Sequence, residues 1–286
     1  MEYIVLPSFN TAVVASGRLT MNLDHLDGYA IHFIEIKMTG TTFDRSHLDD
    51  IGLAVNTKDL LGNISGAQLQ RINGWDGLPT DAAYMMLYLG DPTAETPFGQ
   101  HLTDLDFTLY PAHKTTLDIK LGAGISGDAD IEVRAYGVRG GKAAMGLGYT
   151  QAQAAMTRAI LNTQLTPPNA VTKKSYQISL GSNAGAAIRK LMFDSVLVTS
   201  VETKKSGSTK WDDIAQAEAD FVGKIFNRVP QANTYVLDYV VDGNQAKVER
   251  TVDAKGRPYP MQVNVTTSAG GTIPCFADLR VAVALL

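Results

Sequence analysis

The chain is poor in the residues from which most reactive sites are built. Cys275 is the single cysteine among 286 residues, which excludes an internal disulfide and, with it, a stapled extracellular scaffold. It follows Pro274 in an apolar stretch with no basic neighbour, so it reads as a buried, inert thiol. Apolar runs are short: the longest, such as 82–89, fall far below the ~20 residues that cross a bilayer as a helix. The opening MEYIVLPSF has neither the basic start nor the long apolar stretch of a secretion signal, and the expectation is a soluble, intracellularly made protein. Charge is scarce and nearly balanced, with Lys+Arg 25 against Asp+Glu 29 and a net charge of −4, so no global field draws the chain onto nucleic acid. At 45% hydrophobic and 19% charged, the chain is still rich enough in apolar residues to build two cores.

Catalytic patterns are missing as well. The five histidines, His25, His32, His47, His101 and His113, show no zinc-ligand spacing, and HExxH, GxSxG and GxxxxGK[ST] do not occur. His32 lies in an alternating stretch and reads as a packed or pleat-exposed side chain. Two carboxylate pairs stand out: Asp104 with Asp106, and Asp128 with Asp130 in the turn GDAD. Residues two apart on a strand share a face. Either pair could serve acid–base chemistry or offer oxygens to Ca²⁺, while solvated strand-end acids are the plainer reading. No catalytic constellation emerges, and no enzymatic activity is expected.

What the chain does contain is itself, twice. RLTMNLDHLDGYAI (18–31) lies over SYQISLGSNAGAAI (175–188), which places Leu19, Met21, Leu23, Gly28 and Ile31 on Tyr176, Ile178, Leu180, Gly185 and Ile188. AAYMMLYLGD (82–91) resembles NTYVLDYVVD (233–242), with Tyr84 and Tyr88 on Tyr235 and Tyr239. LDIKL (117–121) matches MQVNV (261–265), and DIEVRAYGV (130–138) matches DLRVAVALL (278–286). Four matches in the same order imply a tandem duplication. Each copy alternates apolar and polar residues in short runs bounded by Gly, Pro, Asn or Asp, the pattern of an all-β sandwich or eight-stranded jelly roll.

One helix is expected at the same place in each copy, over 60–72 and over 208–226, with Trp75 and Trp211 anchoring it to the sandwich. The organisation is therefore an N-terminal arm (1–17), a first jelly roll (18–138), a basic helical linker (139–175) and a second jelly roll (176–286). The linker carries Arg139, Lys142, Arg158, Lys173 and Lys174 without an acid, and 151–165 has helical spacing. It reads as a packed connector or as a foot directed at an anionic surface. The arm is uncharged after Glu2 and should dock on protein. Segments 90–102 and 242–259 are the expected outward loops.

Duplicated barrels with an inserted helix, the cadence GYAIHFIEIKMTG followed by DDIGLAVN, and the strand–helix–strand order over 53–89 resemble the double-jelly-roll major capsid proteins of tailless, membrane-containing icosahedral phages of the corticovirus and tectivirus type. The resemblance implies a tandem double jelly roll and pseudo-hexagonal homotrimers that tile a virion shell over an internal membrane. Assembly in the host cytoplasm follows, with penton and minor capsid or membrane proteins as partners and no sequence-specific nucleic acid. It also implies calcium-dependent assembly, for which Asp104, Asp106, Asp128 and Asp130 are the candidate positions. The alternative from the same fold is a glycan-binding or glycan-amidase-type protein using acids in an interdomain groove.

Overall fold

The structure, a computed structural model, describes the chain apart from residues 10, 57, 110–113, 177–185, 253–260 and 283–286. In the first half lie β1 (Glu2–Val5), β2 (Arg18–Asn22), β3 (Tyr29–Thr39), β4 (Leu48–Val55), β5 (Lys58–Ile64), α1 (Gly66–Trp75), β6 (Tyr84–Tyr88), α2 (Pro97–His101), β7 (Leu105–Asp106), β8 (Thr115–Leu121) and β9 (Asp130–Arg139). In the second lie α3 (Gln151–Ala154), β10 (Met156–Leu165), β11 (Val171–Tyr176), β12 (Ala187–Phe193), β13 (Val198–Lys205), β14 (Ser208–Ala215), α4 (Gln216–Ile225), β15 (Tyr235–Asp238), β16 (Glu249–Arg250), β17 (Met261–Thr267) and β18 (Ile273–Ala282).

These strands form three open sheets. One belongs to the first lobe, in the order β1-β9-β3-β6 with β7 beside β3, and one to the second, in the order β11-β17-β13-β14. The largest runs through both lobes as β15-β12-β18-β10-β5-β4-β8-β2. Its centre is the seam: β10 lies antiparallel to β18 over its full length and parallel to β5, with Ile160 opposite Leu61 and Leu161 opposite Gly62. Alternation sends Ile51, Leu53 and Val55 of β4 and Leu117, Ile119 and Leu121 of β8 inward, all 1% exposed or less. One continuous apolar cluster spans the two lobes.

The ladders prove the duplication residue by residue. The hairpin β4–β5 is repeated by β13–β14 with Leu53 opposite Leu61 as Thr203 is opposite Trp211, and register breaks flank both pairs at the same places. A further break sits between Leu48 and Asp50 and recurs between Val198 and Ser200. On the facing sheets a break follows Ile31 in β3 and Ile188 in β12, so Phe33 corresponds to Lys190. Bulges bend a strand at one place and are not moved cheaply, which makes them reliable markers. They also revise two sequence correspondences. Phe33 pairs with Tyr88 and Lys190 with Asp238, so Tyr88 corresponds to Asp238 and not to Tyr239. Likewise Tyr136 corresponds to Asp278, which replaces the sequence match of Asp130 with Asp278.

Other expectations change with the hydrogen bonding. Residues 156–165 are not a helix: after the single turn of α3 they form β10. A central strand is buried on both faces, so its apolar residues lose the period of two and can imitate helical spacing. The second helix starts at Gln216, and 208–215 is a strand. The turn before it places Ser206 and Gly207 at φ of 49° and 80°, the pair of left-handed residues that closes a two-residue hairpin. Trp211 is therefore on β14, while Trp75 ends α1, and the two are not equivalent. The arm supplies β1, which pairs with β9. Segment 90–102 is no free loop, since Asp91 and Leu102 are buried. The sequence matches within 177–185 and beyond residue 282, and part of the loop 242–259, lie outside the described residues.

A Cβ on Gly207 would meet no atom within 4 Å, so its replacement tests backbone strain alone. Gly207→Ala should cost about 1 kcal/mol in a urea melt. Gly127→Ala, equally open but without the positive φ, should leave the midpoint unchanged.

Candidate functional site

Where the lobes meet, the chain buries eight ionisable side chains, each less than a tenth exposed: Arg158, Arg189, Lys190 and Arg228 against Asp76, Asp91, Asp238 and Asp278. The charges cancel. Arg158 on β10 grips Asp278 on β18 through two hydrogen bonds, Nε to Oδ1 at 3.0 Å and a terminal nitrogen to Oδ2 at 2.8 Å. Its other terminal nitrogen donates to the Tyr88 carbonyl at 3.2 Å, in the first lobe. Arg189 on β12 reaches Asp278 at 3.1 Å and also pairs with Asp91 of the first lobe. Asp91 is held by Thr93, whose N–H and hydroxyl donate to Oδ1 at 3.0 and 2.7 Å. A second group joins Lys190 to Asp76 at the end of α1, and Arg228 to Asp76 and Asp238 at 3.5 Å each. The Trp75 indole N–H donates to Asp238 at 3.0 Å, so α1 inserts its last side chain into the second lobe. Gly223 leaves room for that ring: a Cβ there would lie 2.6 Å from it.

Electrostatics follows from this packing. Burial alone would raise the Asp91 and Asp278 carboxyls, yet Arg189 and Lys190 beside the first, and Arg158 and Arg189 beside the second, hold both below the usual carboxylate range. At Asp238 burial prevails over Lys190 and Arg228, and its carboxyl is pushed up. Buried ion pairs repay little net stability but are costly to break, because the partner left behind is an uncompensated charge. Their directional hydrogen bonds therefore act chiefly to set how one lobe sits on the other.

None of these eight residues except Arg158 stands out in the sequence reading. The available signal was a charge inside an apolar strand, as in AIRKLMF, YVLD and CFADLRV. The four candidate aspartates lie elsewhere. Asp104 is fully buried and its two carboxylate oxygens accept from His32 Nδ1 and His101 Nδ1, both at 2.8 Å. His32, His101 and Asp104 are the group among the described residues whose ligand atoms approach closely enough for a metal. One carboxylate and two imidazoles do not match the six to eight oxygens that Ca²⁺ takes. Asp106 is buried and accepts the Lys142 N–H at 2.8 Å. The Ser126 side chain, with the hydroxyl and N–H of Thr41, holds the Asp128 carboxyl down at about 2, and Asp130 accepts the Ile131 N–H. Asp106 pairs with Ala30 and Asp130 with Thr39, at opposite ends of β3 and about 30 Å apart by strand rise. The two pairs form no joint site. His113 lies outside the described residues.

The basic linker is also dismantled. Lys142 is fully buried, and its ammonium donates to the carbonyls of Leu102, Ala154 and Met156 at 2.9, 3.0 and 2.6 Å. Burial pulls it down to about 8. Arg158 belongs to the seam. Only Arg139, Lys173 and Lys174 of the five are exposed.

Two jelly rolls side by side, each with a helix at the same point of the strand order, define the double-jelly-roll capsid proteins, and solved structures agree. The major capsid protein P2 of bacteriophage PM2 aligns with a TM-score of 0.78 at 12% identity, covering 98% of this chain and 97% of that one. The STIV major capsid protein gives 0.65 at 11% identity, over 99% and 97%. VP54 of PBCV-1 gives 0.59 at 11%, over 98% and 94%. Residues 3–139 match the viral coat protein P2 N-terminal domain and residues 159–280 its C-terminal domain. The chain belongs to the viral coat protein P2 family. No curated protein matches it. The glycan alternative finds no support in these matches, and the acids it needed, Asp104 and Asp106, are buried.

Asp278→Asn should destabilise the protein by about 3–5 kcal/mol in a denaturant melt, since it removes the ionic partner of buried Arg158 and one of the two of Arg189. The stabilisation from Asp91 and Asp278 is complete above their unfolded value near 4 and is lost as pH falls from there toward their lower folded values. Wild-type melting temperature should therefore drop below about pH 4. The variant should drop less over the same interval.

Proposed function

We propose that this chain is the repeating subunit of an icosahedral virion shell, acting as a homotrimer whose six lobes give a nearly hexagonal outline. The observation that carries it is the duplication of strand order and bulge position in two lobes locked through one sheet. A closed homo-oligomer needs a surface repeated by rotation. Two like lobes per chain make three chains resemble six units, which suits six-neighbour positions in a lattice. Open sheets of this kind also need their edges covered by neighbours, and such assemblies give that cover.

Assembly in the host cytoplasm, contacts with penton and minor capsid proteins, and a membrane beneath the shell complete this reading. Contact with an anionic surface would fall to Arg139, Lys173 and Lys174, since the other two linker cations are internal. Arg139 is stacked over Tyr29 at 5.6 Å, and Lys173 pairs with Asp213 at 3.1 Å, so neither is a bare charge. Calcium would fall to Asp128 and Asp130, the exposed pair of the four candidates.

Sedimentation of the purified protein at micromolar concentration should give three chain masses, and negative-stain images should show a six-lobed outline. A single monomeric species across that range would refute the trimer.

A further inference from the structure

The seam inside the chain has a twin that the chain alone cannot complete. Within one chain β10 lies parallel to β5. By ladder register β14 is the counterpart of β5, with Trp211 standing for Leu61. The counterpart of β10 is β1: Ile160 pairs with Asp278, and Tyr3 pairs with Tyr136, its equivalent. Among the described residues, β14 and β1 are the outermost strands of their sheets. Each is half of a seam.

The flanking surfaces are paired in the same way, with their chemistry changed. Over the second lobe's sheet, the end of α1 meets Asp238 through Trp75 and Lys190 through Asp76, and Asp278 lies beside Lys190 in the ladder. At the equivalent places the first lobe carries Phe33, Tyr88 and Tyr136, which form with Tyr3 a half-exposed aromatic cluster. Phe33 stacks on Tyr136 at 4.9 Å, and Tyr88 and Tyr3 lie 5.6 and 5.1 Å from their neighbours in it. The helix meant to cover this face is the counterpart of α1, namely α4. Where α1 presents Arg71 and Trp75 to charges, α4 presents Phe221 and Ile225, 64% and 59% exposed. A charged face is met by a polar-tipped helix within the chain. An aromatic face on β1, β9, β3 and β6 and an apolar helix on the other lobe remain over.

We propose that α4 and β14 of one copy dock on the aromatic face and β1 of a second copy, repeating between chains the parallel register of β5 and β10. Tyr3 of one copy then lies beside Trp211 of the next, and Ile4 beside Asp212. This rests on the trimer reading and specifies its contact: a head-to-tail interface, which closes into a ring when the rotation permits. It also explains the N-terminal strand, whose Tyr3 and Val5 are 53% and 66% exposed in the isolated chain. Covering large aromatic and aliphatic side chains at the centre of a contact is where binding energy concentrates.

Two variants of the full chain test it. Phe221→Glu with Ile225→Glu alters exposed positions on α4, so the monomer fold should persist by circular dichroism while association weakens by at least about tenfold. Independently, Tyr3→Cys with Trp211→Cys should oxidise to a covalent ring of three chains in non-reducing electrophoresis, with buried Cys275 taking no part. If wild type sediments as a monomer, the trimer reading and this contact fall together. If wild type is a trimer, yet the glutamate variant remains one with unchanged affinity or the cysteine pair links only two chains, the trimer stands and this contact is wrong.

Discussion

The structure depends on one strand having two allegiances. β10 is bonded along its whole length to the second lobe and, through two residue pairs, to the first. That short parallel contact fuses what would be separate sandwiches into one sheet. Two residue pairs are a weak hinge by themselves, and the eight buried charges around them supply direction. Asp91 and Asp76 meet Arg189, Lys190 and Arg228 only if the first lobe presents them at hydrogen-bond distance to the second. A rotation of a few degrees would leave charges unpaired in a poorly polarisable interior. The two lobes are thereby held in one relative orientation.

Rigidity of this kind matters for a shell component more than raw stability does. Lattice geometry is set by the angle between neighbouring units, and an elastic tile would spread that angle over many values. Apolar packing alone is tolerant of small sliding, because dispersion and hydrophobic burial are not directional. A network of aligned ion pairs is not tolerant. The cost in desolvation is offset by a defined orientation, while the apolar cluster beneath provides the cohesion.

Much of the architecture was legible in the sequence. Alternation along β4, β8 and β9 marks half-buried strands, and the repeated order of four segments marks duplication. The family resemblance followed from that order and was met by both halves of the chain. Errors cluster where alternation fails. β10 is buried on both faces over Thr157–Ile160 and imitates a helix there; the strand that follows the hairpin turn at Ser206 and Gly207 has helical spacing; and bulges add residues without changing the pattern around them, which shifts the offsets. Of the site, Arg158 was seen as a basic linker residue and Asp278 only as part of an alignment. Lys142 shows why: a positive charge in a sequence does not reveal whether water or three carbonyls will surround it.

By itself, then, the order of residues determined that the chain is β-rich and doubled, because hydrophobic periodicity and repetition are properties of neighbours along the chain. Which strand would belong to both lobes, which charges would cancel in the seam, and which edges would be left over were decided by the tertiary structure. Those are relations between residues more than a hundred positions apart, such as Arg158 and Asp278, and no local pattern encodes a partner at that distance.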